Sequence, residues 1–327
     1  MTDLTNPIFQ DAVKAREHLE ALRWPNGPVC PHCKAAGEQV ARVAITKKQT
    51  KAPKSGKHRP TRDGLCYCNA CKEQFTVTVG TVLEKSHIPL NKWLAGFFLM
   101  CSSKKGISSH QLHRTLSVSY KTAWFMSHRI REAMRSGGLM PPMGGGGGIV
   151  EVDETFIGNK KGFAQTRGSL HKFAVLTLVD RNGEARSFHV KDIKAKEILP
   201  IVRANVSKEA RLVTDTATHY RTAKDGFASH ETVNHSRGEY GRGEIHTNTV
   251  EGFYSIFKRG MRGVYQHCGE QHLHRYLAEF DFRYSNRVKL GVNDTQRMIR
   301  AIKGAEGKRL TYRRSNIGKG REGQAPA

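Results

Sequence analysis

The second half of the chain predicts an α/β domain built on a mixed sheet, on three observations. Apolar runs of strand length recur at 149–155, 173–180, 184–190 and 211–215. The first three follow closely, with a turn at Asp180-Arg181-Asn182-Gly183, and so form an antiparallel meander. A helix at 194–204 precedes the fourth strand, and a short strand near 231–235 precedes helices starting at about 248 and 270. Meander, helix, strand and further helices is the order of the ribonuclease H-like fold.

The 327 residues suffice for two or three domains with cores of their own. Lys and Arg number 54 against 29 Asp and Glu, a net charge of +25. That excess calls for a polyanionic partner, nucleic acid before an anionic membrane. No apolar run reaches the ~18 residues of a membrane span. Residues 1–25 read as a polar amphipathic helix capped by Asn6, with Pro7 in its first turn, and not as a secretory signal. The expectation is a cytoplasmic, nucleoid-associated protein without membrane contact. Its 7 cysteines then serve as metal ligands or free thiols.

Residues 26–84 predict a zinc ribbon. Cys30-Pro31-His32-Cys33 and Cys68-Asn69-Ala70-Cys71 are two CxxC knuckles, whose four thiolates close a tetrahedral Zn²⁺ site. Cys66 is a spare that can replace Cys68, although Cys68 and Cys71 have the knuckle spacing. His32 and His58 read as bystanders. Between the knuckles, 47–62 holds seven Lys or Arg and no acid. It is either a solvated loop or a finger that sets Lys47, Lys48, Lys51, Lys54, Lys57 and Arg59 on DNA phosphates.

Residues 85–140 predict a small helical, helix-turn-helix-like segment. FTVTVG reads as an alternating strand leading to an apolar helix that ends near MCSS. Ser108 caps a short helix carrying Leu112 and Leu116, and Ser117-Val118 makes the break. A longer helix runs from about Tyr120 to Arg135. As a recognition helix it shows Tyr120, Lys121, Ser127, His128 and Arg131 to DNA. A bundle bridging two other domains has the same pattern. Cys101 and Cys268 fall in helical patterns and read as packed thiols. Residues 141–148 read as a Gly-rich linker or hinge, 149–290 as the α/β domain, and 291–327 as a C-terminal helix and basic tail.

Asp153 lies in the strand GIVEVDETFIG and Asp215 in the strand ARLVTDTATHY, while Glu251 opens the helical EGFYSIFKRG, with 35 residues between Asp215 and Glu251. Carboxylates ending neighbouring strands, with an acid on a later helix, suit two Mg²⁺ ions (or Mn²⁺) and phosphoryl transfer. Asp153 is expected to bridge the ions and Asp215 to hold one. Lys258 lies two helical turns from Glu251 and reaches a phosphate beside the cleaved bond. Arg259 and Arg262 are expected on flanking backbone. Glu151 shares a strand face with Asp153, as a supporting group or as surface decoration. His219 and His246 either touch the scissile phosphate or pack. Tyr240, Tyr254 and Tyr265 lack the arginine-rich setting that a recombinase nucleophile needs.

In the strings RWPNGPVCPHC, CNACKEQFTVTVGTVLEKSHIPLNKWL, VEVDETFIGNKKG, LVTDTATHY and HTNTVEGFYSIFKRGMRGVYQH, the chain resembles insertion-sequence transposases of the ISXO-like group, over about residues 20–290. The resemblance implies a zinc ribbon ahead of a DDE catalytic domain with a retroviral-integrase-like core. It also implies two Mg²⁺ ions, double-stranded DNA with terminal inverted repeats as substrate, and at least a dimer on DNA. The group carries Asn or Glu at its third catalytic position. Asn248 and Glu251 are three apart on one helical face, and both are expected in the site. The implied reaction hydrolyses the element ends and joins the freed 3′-hydroxyl to target DNA. Two rivals use the same segments: a DNA-binding regulator with an inactive catalytic domain, and a ribonuclease H-like nuclease that cuts without joining.

Overall fold

The computed structural model describes residues 4–43, 63–137, 140–160, 162, 168–181, 183–239 and 241–311. The chain opens with two short helices, α1 (Pro7–Gln10) and α2 (Ala12–Arg23), rather than one. Asn6 caps the first through its side chain. Asp11, in extended conformation, accepts from the amides of Val13 and Lys14 at 2.7 and 3.0 Å, and this second cap breaks the helix.

Strands β1 (Val40–Arg42), β2 (Cys66–Cys68) and β3 (Gln74–Phe75) form a small antiparallel sheet in that order. The strand expected through FTVTVG stops at Phe75. Thr76 and Thr78 accept turn hydrogen bonds from Val79 and Thr81, and Arg23 of α2 donates to the carbonyls of Val77 and Val79 at 2.7 Å each. The carbonyls that a sheet neighbour would use are thus taken by a guanidinium.

Helices α3 (Leu90–Ser102), α4 (Ser109–Leu116) and α5 (Tyr120–Met134) follow. Ser108 caps α4 as expected, and Ser117 takes the left-handed conformation that ends it. These helices, the ribbon and the last helix, α9 (Asp294–Lys303), share one apolar core that runs from Phe9 through Trp93 and Phe97 to Met298 and Ala301. The chain therefore returns to its N-terminal body after the α/β domain.

That domain has strands β4 (Ile149–Ile157), β5 (Phe173–Asp180), β6 (Ala185–Val190), β7 (Arg211–Asp215) and β8 (Ser229–Val233), with helix α6 (Ala195–Asn205) between β6 and β7. The sheet order is β6-β5-β4-β7-β8, antiparallel across β6-β5-β4 and parallel across β4-β7-β8. The pleat alternates residues between two cores. Val150, Val152, Leu176 and Leu178 pack against α6. Val175 and Val179 pack on the other face against α7 (Asn248–Gly260) and α8 (Glu270–Ser285).

The Gly-rich run is fastened, not a hinge. Met143 is buried and pairs with the stretch after α6, its amide on the Asn205 carbonyl at 2.8 Å and its carbonyl on the Ser207 amide at 2.8 Å. Gly144, at φ +72°, donates to Asp180 Oδ2 at 3.1 Å, and a Cβ there would meet Ala210 and Val150 at 2.7 Å. The glycines allow close approach and positive φ rather than mobility.

Arg131 corrects the recognition-helix expectation. It is 1% exposed, and its Nε donates to Glu279 Oε2 of α8 at 2.6 Å. Its guanidinium lies 4.0 Å from the Tyr276 ring centroid. Ser127 and His128 are buried on the same face, where α5 packs on α8. Glu279 also accepts from Arg283 and from the Tyr265 hydroxyl. Tyr120 and Lys121, at the start of α5, remain exposed.

Removing the carboxylate charge from this network strands two guanidiniums in the interior. Glu279→Gln is expected to destabilise the protein by about 3–5 kcal/mol. Arg131→Met should cost less, because Glu279 keeps Arg283. Urea unfolding of both variants checks the order; equal loss would contradict it.

Candidate active site

Two parallel strands and one helix build the acidic site. Pairing between β4 and β7 runs from Ile149↔Arg211 to Glu151↔Val213. β7 ends two residues further, at Asp215, whereas β4 runs on to Ile157; by the same register Asp153 stands level with Asp215, just past the last β4–β7 pair. Asp215 Oδ1 accepts from the Ala217 amide at 2.9 Å and Asp153 Oδ1 from the Glu154 amide at 2.8 Å. Burial first, and then the Glu154 charge, push the Asp153 carboxyl up to about 7. The Glu154 amide works the other way, while Asp215 and Glu251 add to the rise. Asp215 and Glu251 thus both act on Asp153.

Glu251 sits on the first turn of α7, exposed, where Oε1 accepts from the Thr247 hydroxyl at 2.8 Å and lies 3.4 Å from His235 Nε2. Asn248 is exposed one turn earlier. Tyr254 is buried and its hydroxyl donates to the Asp153 carbonyl at 2.5 Å, tying α7 to β4 beside the acid. Lys258 follows on the same face, its Nζ 5.7 Å from the Tyr254 ring. Arg259 and Arg262 are exposed beyond it.

Glu151 is fully buried, which removes the surface alternative. Its carboxylate accepts from the amides of Thr249 and Val250 at 2.8 and 3.0 Å, from the Thr249 hydroxyl at 2.7 Å and from Arg181 Nε at 2.6 Å. The helix α7 has no side-chain cap of its own, so a strand residue supplies it. Arg181 in turn donates to the His246 carbonyl at 2.9 Å. His219 lies 3.0 Å from Glu154 Oε1, beside the Tyr220 hydroxyl, which donates to the same oxygen. The Glu154 partner raises the His219 pKa. Both histidines are therefore engaged with acids or their partners. The hydroxyls of Tyr254 and Tyr265 are bonded, and Tyr240 lies outside the described residues. Arg181 and the positioning role of Tyr254 were not foreseen. The only sequence signal for Arg181 is its turn, which returns the chain beside the base of β4.

The cysteine cluster is separate. Cys30, Cys33, Cys68 and Cys71 bring their sulfurs within 4.8 Å of one another, with Cys30–Cys71 at 3.6 Å and Cys33–Cys68 at 3.5 Å. Thiolates around a tetrahedral zinc at about 2.3 Å stand about 3.8 Å apart, so the donor set is compatible with a structural zinc. Lys34 and Lys72, each next after the second cysteine of its knuckle, take φ +67° and +62° and donate back to Cys30 and Cys68. Cys66 is buried on β2, outside the cluster. Among the described residues no other group of three or more His, Cys, Asp or Glu closes to this spacing, so Asp153, Asp215 and Glu251 together stand wider. The expected DNA contacts Lys47, Lys48, Lys51, Lys54, Lys57 and Arg59 lie outside the described residues, as does His58.

Residues 146–285 match the family model of the ISXO2-like transposase domain. An uncharacterized protein in transposable element ISH50 of Halobacterium salinarum is 28% identical over 296 residues, covering 84% of this chain and 91% of that protein. An uncharacterized transposase-like protein of Haemophilus influenzae is 23% identical over 112 residues, 34% of this chain and 89% of that protein.

Cys68→Ser should release bound zinc and lower the melting temperature. Cys66→Ser should keep stoichiometric metal. Metal analysis of the two purified variants decides, and zinc loss from Cys66→Ser alone would reverse the ligand assignment.

Proposed function

We propose, from its place among the ISXO-like insertion-sequence transposases, that this chain binds the terminal inverted repeats of its element, cuts the ends and joins them to target DNA. The likeness to the ISXO2-like transposase domain supports an enzyme acting on DNA. What supports the finer reading is the level placement of Asp153 and Asp215 on adjacent parallel strands, where their pairing stops, with Glu251 near enough to raise the Asp153 pKa. The sheet order, three antiparallel strands continued by two parallel ones, supports a ribonuclease H-like catalytic domain.

The donor set fits hard cations. Mutually repelling carboxylates on two neighbouring inner strands, one of them holding its proton to about 7, are relieved by divalent charge. Asp153, Asp215 and Glu251 would hold two Mg²⁺, with Asn248 as a neutral donor beside them. When bound, such ions supply a nucleophilic water at neutral pH and stabilise the leaving oxygen.

The chain's own residues set the rest. Tyr254 and Glu151 fix α7 against β4, which keeps Glu251 beside Asp153. Lys258 neutralises a phosphate next to the scissile one, and Arg259 and Arg262 hold the strand that follows. In the first step water adds to phosphorus and the 3′-oxygen leaves, taking a proton. In the second, that 3′-hydroxyl loses its proton and attacks a target phosphodiester, so bonds balance without a covalent protein–DNA link. Lys121 with Tyr120, at the exposed start of α5, and the basic run from Lys47 to Arg59 supply duplex binding. A second copy on the other DNA end completes the assembly.

Asp153→Ala and Asp215→Ala should abolish Mg²⁺-dependent cutting and joining of inverted-repeat duplex while leaving duplex binding within about twofold. Wild-type-like cutting by either variant ends the proposal. Glu251→Ala and Asn248→Ala, run beside them, rank the third ligand.

A pH dependence follows from Asp153. Its folded pKa, about 7, exceeds the 3.8 of a free aspartate, so the metal-free fold binds the extra proton between those values. The corresponding stability is full below pH 4 and lost as pH rises through 7. Cation binding expels that proton, so Mg²⁺ affinity should climb by up to about tenfold per unit from pH 6 towards 7 and level off above it. Calorimetric titration in buffers of different ionisation enthalpy reads the proton release, which Asp153→Asn should remove.

A further inference from the structure

The buried network between α5 and α8 holds more positive than negative charge. Arg131 and Arg283 share the one carboxylate of Glu279. The Arg283 side chain is 6% exposed and lies over the Phe280 ring at 4.7 Å, yet its Nε and Nη2 meet no acceptor among the described residues. Idle donors on a buried guanidinium are costly.

Arg283 lines a cavity of about 420 Å³, where the end of α3, the back of α7, α8 and the start of α9 meet. Phe253, Phe280 and Tyr284 form an aromatic wall, and Lys104 and Lys289 stand exposed at its edge. Phe253 is two residues from Glu251, about 200° around the helix, so the cavity lies behind α7 and away from the acidic site. Five of the lining residues are Lys or Arg and one, Asp294, is acidic. Asp294 is already held by Arg297 at 2.6 Å. The cavity thus offers an unanswered cationic charge beside flat apolar surface.

We propose that this cavity binds a nucleotide, its phosphate against Arg283, Lys104 and Lys289 and its base against the Phe253, Phe280 and Tyr284 wall. The source is one unit of a DNA strand, a step that rests on the DNA-acting reading above; a free nucleotide has the same chemistry. Aromatic side chains stack any base, so no sequence preference is required. Through Phe253 and Ile256, a strand held here would report on α7 from behind.

The test is calorimetric titration of the full chain, without added Mg²⁺, with dAMP, deoxyadenosine, inorganic phosphate and a tetradeoxyadenylate. dAMP should bind, with deoxyadenosine and phosphate at least tenfold weaker. The double variant Lys104→Glu/Lys289→Glu, which leaves the Glu279 network intact, should weaken dAMP at least tenfold, whereas Asp153→Ala should not change it. Arg283→Lys should weaken dAMP as well, provided its melting curve stays cooperative. A tetranucleotide that competes with dAMP and binds more tightly identifies a DNA strand as the source; dAMP binding more tightly identifies a free nucleotide. No saturation by dAMP or the tetranucleotide, or equal dAMP affinity in the edge double variant, overturns the proposal. Displacement of dAMP by glutarate as readily as by phosphate also overturns it. Cutting needs Mg²⁺ and element-end duplex, both absent here, so failure of the transposase reading appears only in the cleavage assay.

Discussion

The buried carboxylate of Glu151 decides where α7 begins, and the acidic site depends on that choice. A helix start leaves four amides without intrahelical partners. Here two of them, on Thr249 and Val250, end on a carboxylate that belongs to β4. Glu151 and Asp153 share one face of β4, so the same strand that carries the principal acid also fixes the helix carrying Glu251. Arg181 balances the buried charge and reaches on to the His246 carbonyl, which holds the segment entering the helix. Tyr254 closes the arrangement one turn later by donating to Asp153's own carbonyl. The distance between strand acid and helix acid is thus set by hydrogen bonds to groups that do no chemistry.

A second buried acid joins the two bodies. Glu279 sits at 0% exposure between Arg131 of α5 and Arg283 of α8. The stacking of Arg131 on Tyr276 and Tyr265 uses the weak hydration of guanidinium, which lysine could not match. Arg297 of α9 similarly spends its donors on Cys101, Asn286 and Val292 carbonyls. Helix α5 is therefore a structural partner of the α/β domain along most of its length. Its first turn, with Tyr120 and Lys121, stays exposed.

Much of this was legible in the sequence, and the parts that were not have a common cause. Strands at 173–180 and 211–215 and helices from 248 and 270 are found where alternation, apolar runs and breakers put them. The knuckle spacing selects Cys68 over Cys66, as the sulfur cluster does. Periodicity, however, reports that a helix has faces without saying what each face meets. Arg131 read as a DNA-facing cation because its partner, Glu279, lies 148 residues away. Glu151 read equally as surface, since a buried charge is recognised only by the amides and guanidinium that surround it. The glycines from Gly144 to Gly148 suggested mobility, yet side chains of Asp180 and Glu209 hold two of their amides. The pairing of α9 with α3 is invisible to local pattern altogether.

The acidic site and the basic chain around it pose one electrostatic problem. A protein of net charge +25 attracts DNA strongly, but phosphates brought near Asp153, Asp215 and Glu251 meet three like charges. Glu154 would add a fourth, and it is instead turned to the opposite face, where His219 and Tyr220 answer it. Burial, with the charges of Glu154, Asp215 and Glu251 behind it, holds the Asp153 pKa at about 7. On the proposed reading, divalent cations held by these acids would resolve the repulsion from both sides, neutralising the carboxylates and presenting positive charge to a phosphate. Glu151 and Tyr254 thus hold Asp153 and Glu251 near one another, and on the proposed reading a compensating charge would let them stay ionised at neutral pH.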